Sequence, residues 1–295
     1  DENLFERLVS AGLLSEEQIQ GSKRQGKLPA KKSNQPKVSS VQGFIAKVLS
    51  FEIDSGHEVF YRGHSNKTKY KLEPSLFRKD DDGNYLHLEN EHILYRELLV
   101  SNSADFQYDE YTLDKLVRMQ HYSLPTRLLD ITSNPLIALY FACKSASDED
   151  GEVIVLSMPR RVIKYFDSDV ASCIANLARL PKSEKDRIDF DAGHFNNQTA
   201  VKRLIHFIKE EKPYFEPEII PDDLRKIVCV KSKKSNDRIS SQSGAFLLYG
   251  LDAVMDEEGT ADISVNRISV SNKEKILKDL DLLNINESTV FPYIE

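Results

Sequence analysis

The chain has 295 residues, 40% of them hydrophobic and 29% charged, with 12 Gly and 11 Pro, a composition that excludes fibrous and disordered proteins. Its net charge of -7 argues against a dedicated double-stranded nucleic-acid binder, whose contact face needs an excess of Lys and Arg. No stretch approaches the ~20 consecutive apolar residues of a membrane-spanning helix, and the opening residues carry no signal-peptide pattern, so a cytoplasmic location is expected.

Residues 1–20 read as a helical hairpin. Leu4, Phe5, Leu8 and Val9 form one apolar stripe, Gly12 ends the first helix, and Ser15 with Gln18 fits a capping box for the second. Residues 21–40 lose all periodicity and gain Lys, Ser, Pro and Gly, as a basic tether does. The main domain is therefore expected over 41–295.

Within it, the spacing of Phe44, Ile45, Val48 and Leu49 predicts a helix over 41–51. Val59 to Gly63 has the β-branched and aromatic content of a strand. Amphipathic helices follow at 88–103 and 112–121. Asn134-Pro135 opens a further helix over 136–144 that is apolar on nearly every face and so is buried. A strand is expected at 152–158 and helices at 169–179 and 198–211. Strands should then lie at 226–231, 244–249 and 262–270, and Ser271 with Glu274 should cap a final helix. Strands dispersed around a helical middle, without regular βαβ alternation, indicate an α+β fold. The cysteines Cys143, Cys173 and Cys229 are far apart and sit in apolar surroundings, as reduced core residues do.

Three segments could carry chemistry. At Tyr61-Arg62-Gly63-His64-Ser65, an Arg at a strand end beside a Gly offers a fixed bidentate donor where a phosphate could approach the backbone. A structural ion pair followed by a turn explains the same residues. From Met119 to Pro135, polar Gln120, His121, Tyr122, Thr126, Arg127, Asp130, Thr132, Ser133 and Asn134 are interleaved with apolar residues. That mixture predicts irregular backbone pinned by its own side chains, as in many ligand loops. The competing reading is a capped loop in which Asp130 holds Arg127 or Arg62. The third segment is Arg238 to Tyr249, where Gln242 either orients a substrate group or closes a turn. No Walker loop, GxGxxG, GxSxG elbow or HExxH occurs, no His/Cys spacing suggests a metal, and the carboxylates are not clustered as a metal-dependent nuclease would need.

On these residues the chain resembles the FRG family of bacterial proteins, named for a Phe-Arg-Gly motif. The resemblance rests on Tyr61-Arg62-Gly63, on Met119-Gln120-His121-Tyr122 with Pro125-Thr126-Arg127-Leu128-Leu129-Asp130, on Asn134-Pro135, and on Gln242 with Gly244-Ala245-Phe246. Tyr61 replaces the usual Phe, Ser123 a usual Gly and Ile131 a usual Trp. More distantly, Tyr61-Arg62-Gly63 and Asp130-Ile131-Thr132-Ser133, leading into Ala138-Leu139-Tyr140-Phe141-Ala142, resemble the arginine-class ADP-ribosyltransferases. That second resemblance implies a mixed or split sheet with inserted helices and NAD as a substrate, with no metal. It implies catalytic roles for Arg62, His121, Asp130 and Gln242, and cofactor contacts from Arg62, Gly63, Tyr122, Arg127, Thr132 and Ser133. Gln242 stands where those enzymes place a catalytic Glu, and it cannot act as a base, so either a different carboxylate such as Asp130 supplies the charge or the fold binds a nucleotide without transferring it. The implied role is a toxin or anti-phage defence protein that modifies a protein or nucleic acid, with an antitoxin or phage-derived partner and no membrane. The alternative is a non-catalytic nucleotide- or nucleic-acid-sensing module.

Overall fold

The computed structural model describes residues 36–233, 244–251 and 253–291. The expected hairpin at 1–20, residues 21–35 of the expected linker at 21–40, and Gln242 lie outside the described residues, while linker residues 37–38 form a strand. Eight strands among the described residues form one sheet in the order β1-β8-β4-β2-β3-β7-β6-β5. They are β1 (Lys37–Val38), β2 (His57–His64), β3 (Leu128–Thr132), β4 (Gly151–Pro159), β5 (Ile163–Tyr165), β6 (Ile227–Lys231), β7 (Gly244–Tyr249) and β8 (Ser264–Val270). The outer pairs β1/β8 and β5/β6 are parallel and all others antiparallel. The architecture is mixed α/β around a mixed sheet.

The ladder is uneven. β2 pairs with β4 along its whole length, from His57 to His64, but meets β3 only at Tyr61↔Thr132. Directly opposed residues share a sheet face, so this one pair puts Tyr61, Gly63, Val153 and Val155 on the same side as Leu128, Asp130, Thr132 and Phe246. Two helical groups cover that side. Over β8, β4 and β2 lie α1 (Val41–Leu49), α4 (Pro135–Cys143) and α7 (Lys273–Leu282), which bury Phe44, Ala138, Ala142, Ile276 and Leu280. Over β3, β7 and β6 lie α2 (Glu91–Ser101), α3 (Thr112–His121), α5 (Asp169–Ala175) and α6 (Thr199–Glu211), burying Leu98, Leu116, Ile174 and Leu204. The opposite face is closed by less regular chain carrying Leu72, Leu76, Phe77, Met255 and Ile263.

Local chemistry sets the helix ends. The Ser40 side chain accepts from Gly43 N, and the Asn134 side chain accepts from Leu136 N with Pro135 at the first helical position. The helix expected to be capped by Ser271 departs from that reading, and a further short helix, Glu287–Val290, follows it. The longer one starts at Lys273, after Asn272 at φ 54, while the Ser271 hydroxyl donates to the Val38 carbonyl instead of capping. Burial drives each thiol, Cys143, Cys173 and Cys229, up to about 12, so they are inert core residues as expected.

The segment Met119–Pro135 is more ordered than its composition suggests. Helix α3 ends in a Schellman motif: Leu124 N bonds to Met119 O at 3.1 Å and Ser123 N to Gln120 O at 2.9 Å, with Ser123 at φ 60. This left-handed position is the one at which the FRG pattern has Gly. The chain then enters β3, whose Leu128 and Leu129 are buried on opposite faces. A strand apolar on both sides shows no alternation in sequence, which is why it reads as irregular.

Candidate functional site

The single β2/β3 pair leaves an opening in the sheet, and a cleft of about 300 Å³ occupies it between α3 and α4. Its floor is Tyr61, Gly63, Thr132 and Phe246; Ile137, Ala138 and Phe141 of α4 form one wall, Gln120 and His121 of α3 the other. Arg62 and Ile131 belong to the opposite sheet face yet line the cleft too, as does Ser75, so the hollow reaches into the gap between the strands.

Each polar side chain has a structural reason for its place. Leu113, Leu116 and Val117 anchor α3 in the core, and Gln120 continues that stripe by one more turn. A Gln at the fourth position of an apolar stripe is the sequence signal for its placement. Its amide donates to Leu128 O at 3.2 Å and to Asp130 Oδ2 at 3.3 Å. Gln120 Oε1 is buried and has no hydrogen-bond partner among the described residues, an acceptor facing no donor of the protein. Asp130 interrupts the apolar run of β3 and is exposed to the cleft.

Arg62 is held at the strand opening. Its Nη1 donates to Asp130 O at 2.6 Å, replacing a ladder bond lost where the strands part. Its Nε donates to His64 Nε2 at 3.1 Å. A guanidinium only donates, so His64 Nε2 must accept and its proton resides on Nδ1, which meets Glu152 Oε1 at 3.1 Å. Arg267 donates to the same Glu152 oxygen at 2.7 Å. Burial pulls the Arg62 pKa down and the Asp130 carboxylate pushes it back. The cleft thus presents a fixed guanidinium beside an exposed carboxylate.

His64 gives this chain a pH dependence. Burial, with the Arg62 and Arg267 charges added, lowers it to about 4 against the ordinary 6.5, although Glu152 works the other way. A histidine whose folded pKa is depressed stabilises the fold fully above its unfolded pKa, and that stability is lost as the pH falls through the folded value. Unfolding free energy should therefore decline between about pH 6.5 and pH 4, and His64→Gln should flatten that part of the curve. Denaturant titrations at fixed pH values check it; an unchanged slope in the variant rejects the assignment.

Of the residues expected to form the site, Arg62, Gly63, His121, Asp130 and Thr132 meet in the cleft. Gln242 cannot be placed, though Gly244 lines the cleft. Three others are elsewhere. Arg127 is fully buried, its Nε and Nη2 on Glu91 at 2.8 and 2.7 Å and its Nη1 on Tyr249 O at 2.7 Å. The Tyr122 hydroxyl donates to Asp105 and its ring stacks on Phe106, pointing away from the opening. Ser133 is not among the lining residues. Gly63 is present for a different reason from the one expected. A Cβ there would stand 2.0 Å from Ala138 O and 2.6 Å from Ala142 N, so it is helix α4 that approaches this backbone. Ser75, which no local pattern marks, was missed because it arrives from a distant segment.

These features define a mixed α/β domain with a polar cleft at an opened strand junction. The family model of the FRG domain matches residues 57–151, and the chain carries an FRG domain over that span. The span runs from the start of β2 to the start of β4 and holds every cleft-lining residue except those of β7. Comparison with curated proteins and with solved structures gave no match.

Proposed function

We propose that the cleft binds NAD and that the protein is an ADP-ribosyltransferase-like effector. What carries this reading is the meeting of one guanidinium, one exposed carboxylate and three aromatic rings in a single hollow: Arg62, Asp130, Tyr61, Phe141 and Phe246. A ligand with phosphates at one end and a cationic ring at the other suits that pairing, Arg62 taking the phosphate and the aromatic rings flanking the ring. The buried Gln120 Oε1 offers an acceptor to a ligand donor such as a carboxamide or hydroxyl.

In the proposed reaction the bond between nicotinamide and the ribose C1′ breaks, nicotinamide leaves neutral, and an acceptor nucleophile attacks C1′ and loses its proton. Asp130, its carboxylate oriented by Gln120, stabilises the positive charge that grows on the ribosyl group. Arg62→Ala is expected to abolish NAD binding, whereas Asp130→Asn retains binding and lowers turnover by ~10²-fold or more. Release of nicotinamide and titration of NAD separate the two. Absence of both binding and turnover in the wild-type chain rejects the reading. NAD binding without turnover, equal in wild type and Asp130→Asn, selects a nucleotide-sensing module instead, a reading favoured by the extent to which Arg62 is already satisfied within the protein.

A further inference from the structure

A second hollow, of about 250 Å³, shares no lining residue with the cleft. Its charged lining is Arg127, Lys182, Lys185, Arg225 and Asp186, with Phe190 beside them. At its base, Glu91 takes both Arg127 and Lys185: the Lys185 ammonium lies 2.5 Å from Glu91 Oε2, the oxygen that also accepts from Arg127 Nη2. Exposures of 2% for Glu91, 0% for Arg127 and 4% for Lys185 put all three out of water. Two cations against one carboxylate leave this buried group with an excess positive charge.

Burying uncompensated charge is costly unless a counter-charge is near. The remaining carboxylate, Asp186, pairs with Lys182 at 2.5 Å. Arg225 at the rim is stacked over Phe190, 3.6 Å from the ring centre. Burial, together with the Arg127 and Lys182 charges, draws the Lys185 pKa down, as expected where cations crowd. In a chain of net charge -7, four cations here face two carboxylates, Glu91 and Asp186, around a space with room for roughly eight waters at liquid density.

We propose that this cavity is an anion site for a compact phosphate-bearing ligand of about pyrophosphate size, held by Lys185 and Lys182 within and by Arg225 at the entrance. It is distinct from the Arg62 cleft. Arg127 directly precedes β3, which carries Asp130 and Thr132 into the cleft, so the two hollows adjoin the same strand.

The test uses the full chain in chloride buffer, titrated calorimetrically with inorganic phosphate and with pyrophosphate. Arg225→Ala, exposed and outside the buried group, keeps the fold, which a melting curve checks, and Lys182→Ala serves as a second variant. Both should weaken pyrophosphate binding at least ~tenfold, while Lys278→Ala, an exposed lysine that lines neither hollow, binds as the wild type does. The proposal is overturned if neither anion binds at millimolar concentration, if Arg225→Ala binds like the wild type, or if Lys278→Ala weakens binding equally.

Discussion

Gly63→Ala is expected to destabilise the protein more than any single surface substitution would. The added methyl would lie 2.0 Å from Ala138 O, 2.6 Å from Ala142 N and 2.9 Å from Phe141 Cβ. Two of those three neighbours are helix backbone, so no rotamer change relieves the clash. Helix α4 would have to lift from β2, opening the core that holds Tyr61, Val153, Val155 and Ile268. Gly151 meets the same helix, 2.4 Å from Ala142 O for an added Cβ, so the contact cannot slide toward β4. The expected cost is at or above ~3 kcal/mol, the upper end for overpacking. Gly193→Ala is the control: nothing lies within 4 Å of its added Cβ, and stability there should be unchanged or slightly raised. Equal urea midpoints for the two variants would reject the close-packing account.

Glu91→Gln is expected to cost ~3–5 kcal/mol, the range for breaking a buried ion pair from one side. The amide keeps the shape but leaves Arg127 and Lys185 facing each other in the interior without a counter-charge. The same carboxylate sets the acid limit of the fold. Burial raises its pKa, but the Arg127 and Lys185 charges and their hydrogen bonds outweigh burial and bring it down to about 2, against an ordinary 4.5. A depressed carboxylate stabilises above its unfolded pKa and loses that contribution as the pH falls through the folded value. Wild type should therefore lose stability between about pH 4.5 and pH 2, below the window in which His64 and His87 titrate, and in Glu91→Gln that lower decline should shrink to what Glu152 and Asp150, also depressed, contribute. Parallel denaturation curves for wild type and variant across it would refute the assignment.

Gly63 and Arg127 are residues that the sequence marks without explaining, whereas Glu91 carries no local signal. Tyr61-Arg62-Gly63 is visible as a strand with a functional look, and Arg62 does line the cleft. The reason for Gly63, however, lies in a helix 75 residues further on, where Ala138 and Ala142 form a small-residue face against it. Helix α3 is legible over its full length because Leu113, Leu116 and Val117 keep a strict period. Strand β3 is hidden because Leu128 and Leu129 face two different cores. Arg127 and Arg62 look alike in sequence, each an arginine suited to phosphate. Only long-range packing separates them: Glu91 reaches Arg127 from 36 positions upstream, while Arg62 is held by the His64 ring and the Asp130 carbonyl. Tyr122 is turned away by Ser123, whose left-handed backbone ends the helix and sends the chain back toward β3.

The single Tyr61↔Thr132 pair has a mechanical consequence. The sheet has a seam, and each half carries its own helical cover, so the two halves are candidates for separately cooperative units. Amide exchange should find the weakest protection at the seam, in the backbone around Asp130 and Arg62, rather than at either outer edge. A ligand lying across the cleft would act as a clasp between the halves, and its affinity would appear as resistance of the whole chain to unfolding.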